Sequence, residues 1–555
     1  MYLCDKDHKF PIKIWTHNEL AHNYDCFYLD AKRISKVNTF IFRNNDEIGK
    51  LEAESDTYLD TCFLETNIFK GIMNFDPSEK NPDFTKRIIV GRTGSGKSAL
   101  LKKILDEGSI KVYDKIEAEN TIFEHVKNNV FISSLNDSGI DLRVFYKSLW
   151  LHALLIKVIP ALHRSSYQSF FNKIQDLIGG KKKTYSPELA NEYIEQFKDV
   201  FFNDKALVEI SNKMQADLSS KINVKGINLG GKLGREDTQK VQSETSSYVS
   251  RELIRKQKEL IKILNEEFSE VGQFRIIISI DDLDRSWLSS SDIRYDFINA
   301  LLEAFRELLD VKSVKILISI RTDILMGIYN KTLRQDEKDQ SLIYSVSWNK
   351  SEIREIIDMR INHLVKNKYQ GSRTITMSDI FDFNIDNVRA DDYILDRTML
   401  RPRDAISFVN YCLKECDGNV SINQDMVLMA EEKFFSSRKR ALVSEWVTIY
   451  KNISDYIDSL SLLKDYVFSL NTIDDDNKNE VLTYILDRAS SDTDSDLHSK
   501  IVMNFDELMK VWFIVGVIGI KRTETLIIYS SYDKPDLDVT DMNRTFIIHP
   551  LFNRR

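Results

Sequence analysis

The chain has 555 residues, 42% hydrophobic and 29% charged, the balance of a globular protein of about three to five domains. Its 77 Lys and Arg against 85 Asp and Glu give a net charge of −8, which excludes a polycation built to coat nucleic acid but leaves room for a local basic face. Eight Pro and 19 Gly favour a helix-rich protein, and five scattered cysteines (Cys4, Cys26, Cys62, Cys412, Cys416) make no disulfide framework.

Those cysteines point to a reducing compartment, and Cys412 and Cys416, four apart, suit packing on one helix face better than zinc. The N-terminus lacks a basic region followed by an apolar run, so no signal peptide is expected and the chain reads as cytoplasmic. The stretch Leu149 to Leu162 is too short to span a bilayer and reads as a buried helix, so no membrane partner is expected.

Residues 1–55 read as an N-terminal extension, with strand-like runs at 12–15 and 38–43. The stretch at its end, 52–69, leads toward the loop that follows and is placed to touch that loop's ligand, without a residue assignment. Residues 88–98, IIVGRTGSGKS, then fit the phosphate-loop pattern G-x-x-x-x-G-K-[ST] from Gly91 to Ser98. The β-branched run before it suits a buried strand, and Leu100, Leu101, Ile104 and Leu105 after it recur at helical spacing. Strand, glycine loop and helix are what phosphate binding needs: backbone N–H groups surround the anion, and the helix N-terminus adds positive potential. Gly91, Arg92, Thr93, Gly94, Ser95, Gly96, Lys97, Ser98 and Ala99 are the expected nucleotide contacts. Lys97 is assigned to the β- and γ-phosphates and Ser98 to magnesium.

From 141 to 270 the pattern is mainly helical, with apolar spacing at 143–158, 187–201 and 251–264. It is broken by glycines at 179–180 and 226–234. Such a separation between Lys97 and the next acidic strand marks an insertion. That strand, Ile276 to Ile280, ends in Asp281-Asp282-Leu-Asp284-Arg285. Carboxylates at a strand's C-terminal end lie where open α/β sheets bind ligands. Asp281 is assigned to magnesium, and Asp282 to orienting or deprotonating the attacking water. The next strand, Val314 to Ile320, ends in Arg321-Thr322-Asp323. There Arg321 either reports the γ-phosphate or pairs with Asp323.

Other nucleotide classes fit poorly. The N-K-x-D base reader of GTPases has a near miss at 477–480, and the ABC signature only a weak echo at 229–232. Protein-kinase loops differ. The DDLDR run at 281–285 and the arginine after the next strand resemble the KAP-type P-loop ATPases, relatives of the STAND and AAA+ groups, over about residues 55–435. The resemblance implies a soluble branch, since no membrane helices interrupt the core, and such branches often accompany bacterial anti-phage systems.

A possible fifth strand, 342–348, precedes helical patterns at 351–366, 377–382, 403–416 and 423–435, similar to an AAA+ lid. Arg403 best matches the lid's sensor arginine, with Arg401 as the alternative. Arg438-Lys439-Arg440 reads as a solvated helix end. Beyond it, helices at 442–470, 478–488 and 505–515 and strands at 525–530 and 544–549 resemble a winged helix, with the acidic run Asp474 to Asp476 and the stretch 489–497 as polar breaks. Asp533, Asp536, Asp538 and Asp541 favour protein over DNA contact there.

The expected fold class is therefore α/β, a P-loop NTPase parallel sheet with a large helical insertion, a helical lid and a C-terminal winged-helix-like domain. The expected domains are 1–55, 56–350, 351–438 and 439–555. The expected cofactors are ATP and Mg2+. The expected activity is slow ATP hydrolysis by a switch or oligomeric scaffold that regulates a separate effector protein. The rival reading is a DNA-stimulated ATPase or loader.

Overall fold

A computed structural model describes residues 41–75, 87–118, 122–163, 167–180, 184–203, 205–222, 235–268, 275–283, 291–332, 337–368, 374–488, 496–524 and 526–553. They fall into two compact units, one drawn from Thr66–Val90 and Ile104–Tyr344, the other from Met1–Glu65, Gly91–Lys103 and Ser345–Arg555.

The first unit is built on a five-stranded parallel sheet of β1 (Ile88–Gly91), β2 (Val112–Glu117), β3 (Ile276–Asp281), β4 (Val314–Arg321) and β5 (Ile343–Ser345). Every residue of β3 is buried, which suits an unbroken isoleucine run covered on both faces. The strand order is β2-β3-β4-β1-β5. β3 pairs in parallel with β2, from Val112 with Ile276 to Glu117 with Asp281, and with β4 from Ile276 with Val314. The acidic strand β3 is therefore not the neighbour of the loop-bearing strand β1. β4, which carries Arg321, lies between them, because order along the chain does not fix order across a sheet. The fifth strand is shorter than its apolar pattern, three residues against an expected seven.

The insertion is helical as its spacing indicated. Helix α2 (Arg143–Leu162; α1 is given below) is buried along almost its whole length and holds Pro160 in its last turn. Trp150 donates its indole N–H to the Phe297 carbonyl at 3.0 Å, and its ring packs 5.2 Å from Phe297. Among the described residues it is the one helix long and apolar enough to cross a membrane, and 72% of its apolar window is buried inside the fold. Helices at 167–177, 187–196, 205–221 and 235–248 follow, then a π-helical turn at 249–254 that runs into a helix ending at Glu267. The glycine patch 226–234 lies outside the described residues, as do Asp284 and Arg285.

The second unit begins with a segment at 41–65 that packs on the lid. Asp56 and Arg360, both 4% exposed, form an ion pair at 2.7 Å. Asn410 accepts from the Ile48 N–H and donates to the Gly49 carbonyl. The helices expected to form a lid are α3 (Lys350–Lys368), a short helix at 377–380, α4 (Pro402–Glu415) and α5 (Gln424–Trp446). Pro402 opens α4, and the Asn423 side chain caps α5 by accepting from the Met426 N–H. Cys412 and Cys416 are buried.

Two lid elements escaped the periodicity. A hairpin of β6 (Asn384–Ile385) and β7 (Val388–Arg389) turns through Asp386 and Asn387, both at positive φ, and leads into a helix at 390–396. Asp-Asn at a two-residue turn is a type I′ signal, so the letters carried this element even though hydrophobic spacing did not.

The expected helix at 442–470 is broken. α5 runs on past 438 to Trp446, and the chain resumes in a short helix at 453–458, a 3-10 turn and β8 (Val467–Phe468). Val447, Thr448 and Ile449 in succession are poor helix formers. The acidic run is a helix start: the Asp474 carboxylate accepts from the Asn477 N–H at 2.7 Å, and Asp475 and Asp476 occupy the first turn of α6 (Asp475–Arg488), where the dipole favours them.

After a helix at 496–503, α7 (Phe505–Val515) ends on Gly516 at φ +88°, a left-handed cap. β9 (Ile518–Lys521), which the expected strands omitted, joins β10 (Ile527–Ile528), β11 (Phe546–Ile548) and β8 in the antiparallel order β10-β9-β11-β8. The C-terminal residues thus run helix, strand, helices and a returning hairpin.

Candidate functional site

β1 runs into the loop 92–96, and α1 (Lys97–Leu105) starts immediately after it. The glycines are there for steric reasons. Gly94 and Gly96 have φ of +81° and +94°, and a Cβ on Gly91 would lie 2.5 Å from Ser95 Oγ and 3.2 Å from Val346 Cβ. A side chain would strain the first two or collide at the third. Lys97 Nζ donates to the Gly91 and Arg92 carbonyls at 2.9 and 3.2 Å, so the ammonium lies over the loop. Ser98 and Ala99 sit in the first turn of α1, whose N–H groups have no intrahelical acceptors.

Four consecutive loop residues are held by residues beyond position 345. Arg92 Nη2 donates to the Val515 carbonyl at 2.5 Å, and its Nε faces Glu445 at 3.5 Å. Arg401 Nη1 donates to the Thr93 carbonyl at 3.0 Å and to Glu445 at 3.2 Å. The Arg403 backbone N–H reaches the Gly94 carbonyl at 3.3 Å. Trp348 Nε1 donates to the Ser95 carbonyl at 2.8 Å. Of the two lid arginines, Arg401 is the buried one, against the loop. Arg403 packs its chain on Gly94 and gives its Nε to the Leu51 carbonyl.

Behind the loop, Arg438 meets Asp404 at 3.2 Å and Glu445 at 3.4 Å. The run 438–440 is thus no solvated helix end at its first residue, and Lys439 pairs with Asp458. Burial, then the neighbouring Arg401, pulls Arg92 down to about 9, with Glu445 opposing, which leaves it charged at neutral pH. Burial also raises Asp404, against the pull of Arg438 and Arg401. Burial and the four arginines 397, 401, 438 and 92 hold His549 at about 3.

In the other unit, Asp281 closes β3 and is 6% exposed. Asp282 follows at φ +60°, a left-handed conformation that costs a non-glycine residue about 1–2 kcal/mol and that clusters at functional sites. Lys115 Nζ pairs with Asp282 Oδ2 at 3.4 Å. Tyr113 and Ser279 share a hydrogen bond of 2.6 Å between β2 and β3. Arg321 forks onto Asp323, with Nε and Nη2 at 2.9 and 2.7 Å from its two oxygens.

The loop residues fit a polyphosphate. Besides the glycines, the Thr93 and Ser95 hydroxyls are buried without a partner, which a polar ligand relieves. The Ser98 hydroxyl and Asp281 carboxylate are hard oxygen donors of the kind magnesium takes. Sequence reasoning missed Trp348 and Glu445. Both act across long stretches of chain, and the signal open to it was a glutamate amid the apolar positions of a long helix.

A parallel sheet whose first strand feeds a glycine loop and a helix, with carboxylates ending a second strand, defines a P-loop NTPase of the α/β class. Residues 80–344 match the KAP family P-loop domain, and residues 351–443 match the FunZ-associated C-terminal helical domain. Residues 80–344 thus form a KAP family P-loop NTPase domain, and the second match covers the helices read as a lid. No curated protein matches the chain.

Proposed function

We propose that the chain binds ATP with magnesium, hydrolyses it slowly and acts as a nucleotide-dependent switch or oligomeric scaffold that regulates a separate effector, in bacterial anti-phage defence. The observation that carries this reading is the anchoring of Arg92, Thr93, Gly94 and Ser95 to residues 348, 401, 403, 445 and 515. A loop whose every turn is tied to distant residues suits a site whose occupancy is felt elsewhere. The KAP family domain supports nucleotide binding, and the defence setting follows from the resemblance to soluble KAP-type ATPases.

In this reading Lys97 holds the β- and γ-phosphate oxygens, and Ser98 and Asp281 hold magnesium, which neutralises phosphate charge when bound. Asp282 orients or deprotonates water. Its backbone stands at φ +60° just past the end of the strand. Arg321 reaches a phosphate by sharing or leaving Asp323, and Arg401 or Arg403 supplies positive charge from the lid. The domains are an extension (1–55), the core (56–350), the lid (351–438) and a winged-helix-like domain (439–555).

Native mass spectrometry with ATP and magnesium, alongside phosphate release, tests this. The expected result is a discrete multimer with one nucleotide per chain, and phosphate release that Lys97→Ala removes. A nucleotide-free monomer, or release that survives Lys97→Ala, overturns it. The winged-helix-like arrangement favours a second reading, a DNA-stimulated loader. Its mark is salt-sensitive stimulation by duplex DNA, and the wing carboxylates Asp533, Asp536, Asp538 and Asp541 oppose it.

A further inference from the structure

The phosphate loop shares one buried charge cluster with the C-terminal residues. Arg92, Arg401 and Arg438 all face Glu445, at 3.5, 3.2 and 3.4 Å. Arg438 also pairs with Asp404 at 3.2 Å. Arg401 holds the Thr93 carbonyl inside the loop, and Arg92 holds the Val515 carbonyl at the last residue of α7. Next to that carbonyl, a Cβ on Gly516 would lie 2.6 Å from Arg92 Nη1. The contact is therefore close on both sides of the helix end.

Two features set this cluster apart from ordinary packing. Three guanidiniums face two carboxylates, so one carboxylate, Glu445, is divided among three donors. Spare capacity remains as well: Arg401 Nη2, Arg438 Nε and Asp404 Oδ2 are buried without a partner. The side chains of Arg401, Arg438, Asp404 and Glu445 are all 4% exposed or less, so water does not smooth a rearrangement. A buried cluster with one shared acceptor and unused donors has discrete alternative pairings.

We infer that the Arg92–Glu445–Arg401–Arg438 cluster is a strut that passes the state of the phosphate loop to residues 505–553. Phosphate binding re-aims the Thr93 carbonyl, Arg401 follows it, and Glu445 changes its share between Arg401 and Arg92. Arg92 in turn alters its hold on Val515 and the α7–β9 turn. The inference rests on the nucleotide reading of the loop and adds its regulation.

Hydrogen exchange on the full chain, with and without ATP and magnesium, separates the two. The expected result is a severalfold change in exchange at 91–99 and, with it, at 505–521. In Glu445→Gln the response at 91–99 stays and that at 505–521 is lost. If Glu445→Gln does not fold, the charge-balanced pair Glu445→Gln with Arg438→Gln takes its place, with the same expectation. A response at 91–99 without one at 505–521 in the wild type overturns the strut and leaves the nucleotide reading standing. So does a full response at 505–521 in the variant. No response at 91–99 in the wild type removes the nucleotide reading and the strut together.

Discussion

The phosphate loop and the acidic strand end are held in different ways. The loop takes its shape from long-range partners: Trp348, Arg401, Arg403, Glu445 and Val515 all bear on four successive residues. The acidic end takes its place from the sheet, with Asp281 finishing a buried strand opposite Glu117 of β2 and Asp282 turned to φ +60° and paired with Lys115 of β2. A loop built this way answers to distant residues. A carboxylate built this way answers to the strands that carry it. Disturbing the acidic end should thus change chemistry alone, and disturbing the loop's supports should change stability and coupling.

The largest effect expected is on the acidic side. Asp282→Asn should lower phosphate release on the order of 10²–10⁴-fold, the range of a lost general base, while ATP binding persists. Equal release in Asp282→Asn and wild type would remove Asp282 from the chemistry. On the loop side, Glu445→Gln strands three guanidiniums with less countercharge. Breaking a buried pair costs about 3–5 kcal/mol, so thermal melting should show a clear loss of stability, which an unchanged melting curve contradicts.

A pH effect sharpens the same contrast. His549 stays near 3 when folded, against about 6.5 when free. The unfolded chain therefore takes the proton first, and stability falls as pH drops through about 6.5 toward 3. By pH 5 the loss from this group is about 2 kcal/mol. His549→Gln should flatten that part of the stability profile, measured by denaturant unfolding between pH 5 and 7.

Gly94→Ala forces a side chain into a left-handed turn and against Arg403, costing about 1–2 kcal/mol. It should weaken nucleotide binding by about tenfold, read by equilibrium titration. Lys115→Ala should be the mildest. Its pair with Asp282 is 38% and 26% exposed, and such pairs contribute about 0–1 kcal/mol, so phosphate release should shift by no more than about fivefold.

What the letters carried follows the same division. Gly91 to Ser98 and Asp281-Asp282 were legible because phosphate chemistry demands those residues at that spacing, next to a strand. Helices such as α2 and α7 were legible from apolar spacing and a terminal glycine. The order of strands across the sheet was not, since β4 enters between β1 and β3 through non-local pairing. Nor was the role of Glu445: its place in the apolar stripe of α5 marks it as buried, but nothing local names its three arginine neighbours. The acidic run at 474–476 was ambiguous for a different reason: carboxylates suit both a polar loop and a helix start, and the Asn477 N–H decides it.

The most direct test is a titration of a fluorescent ATP analogue, with magnesium, into the wild-type chain and Lys97→Ala. Saturable binding of one nucleotide per chain in the wild type, lost in the variant, is the predicted result. The same saturable binding in both would contradict the assignment of residues 91–99 as the nucleotide site.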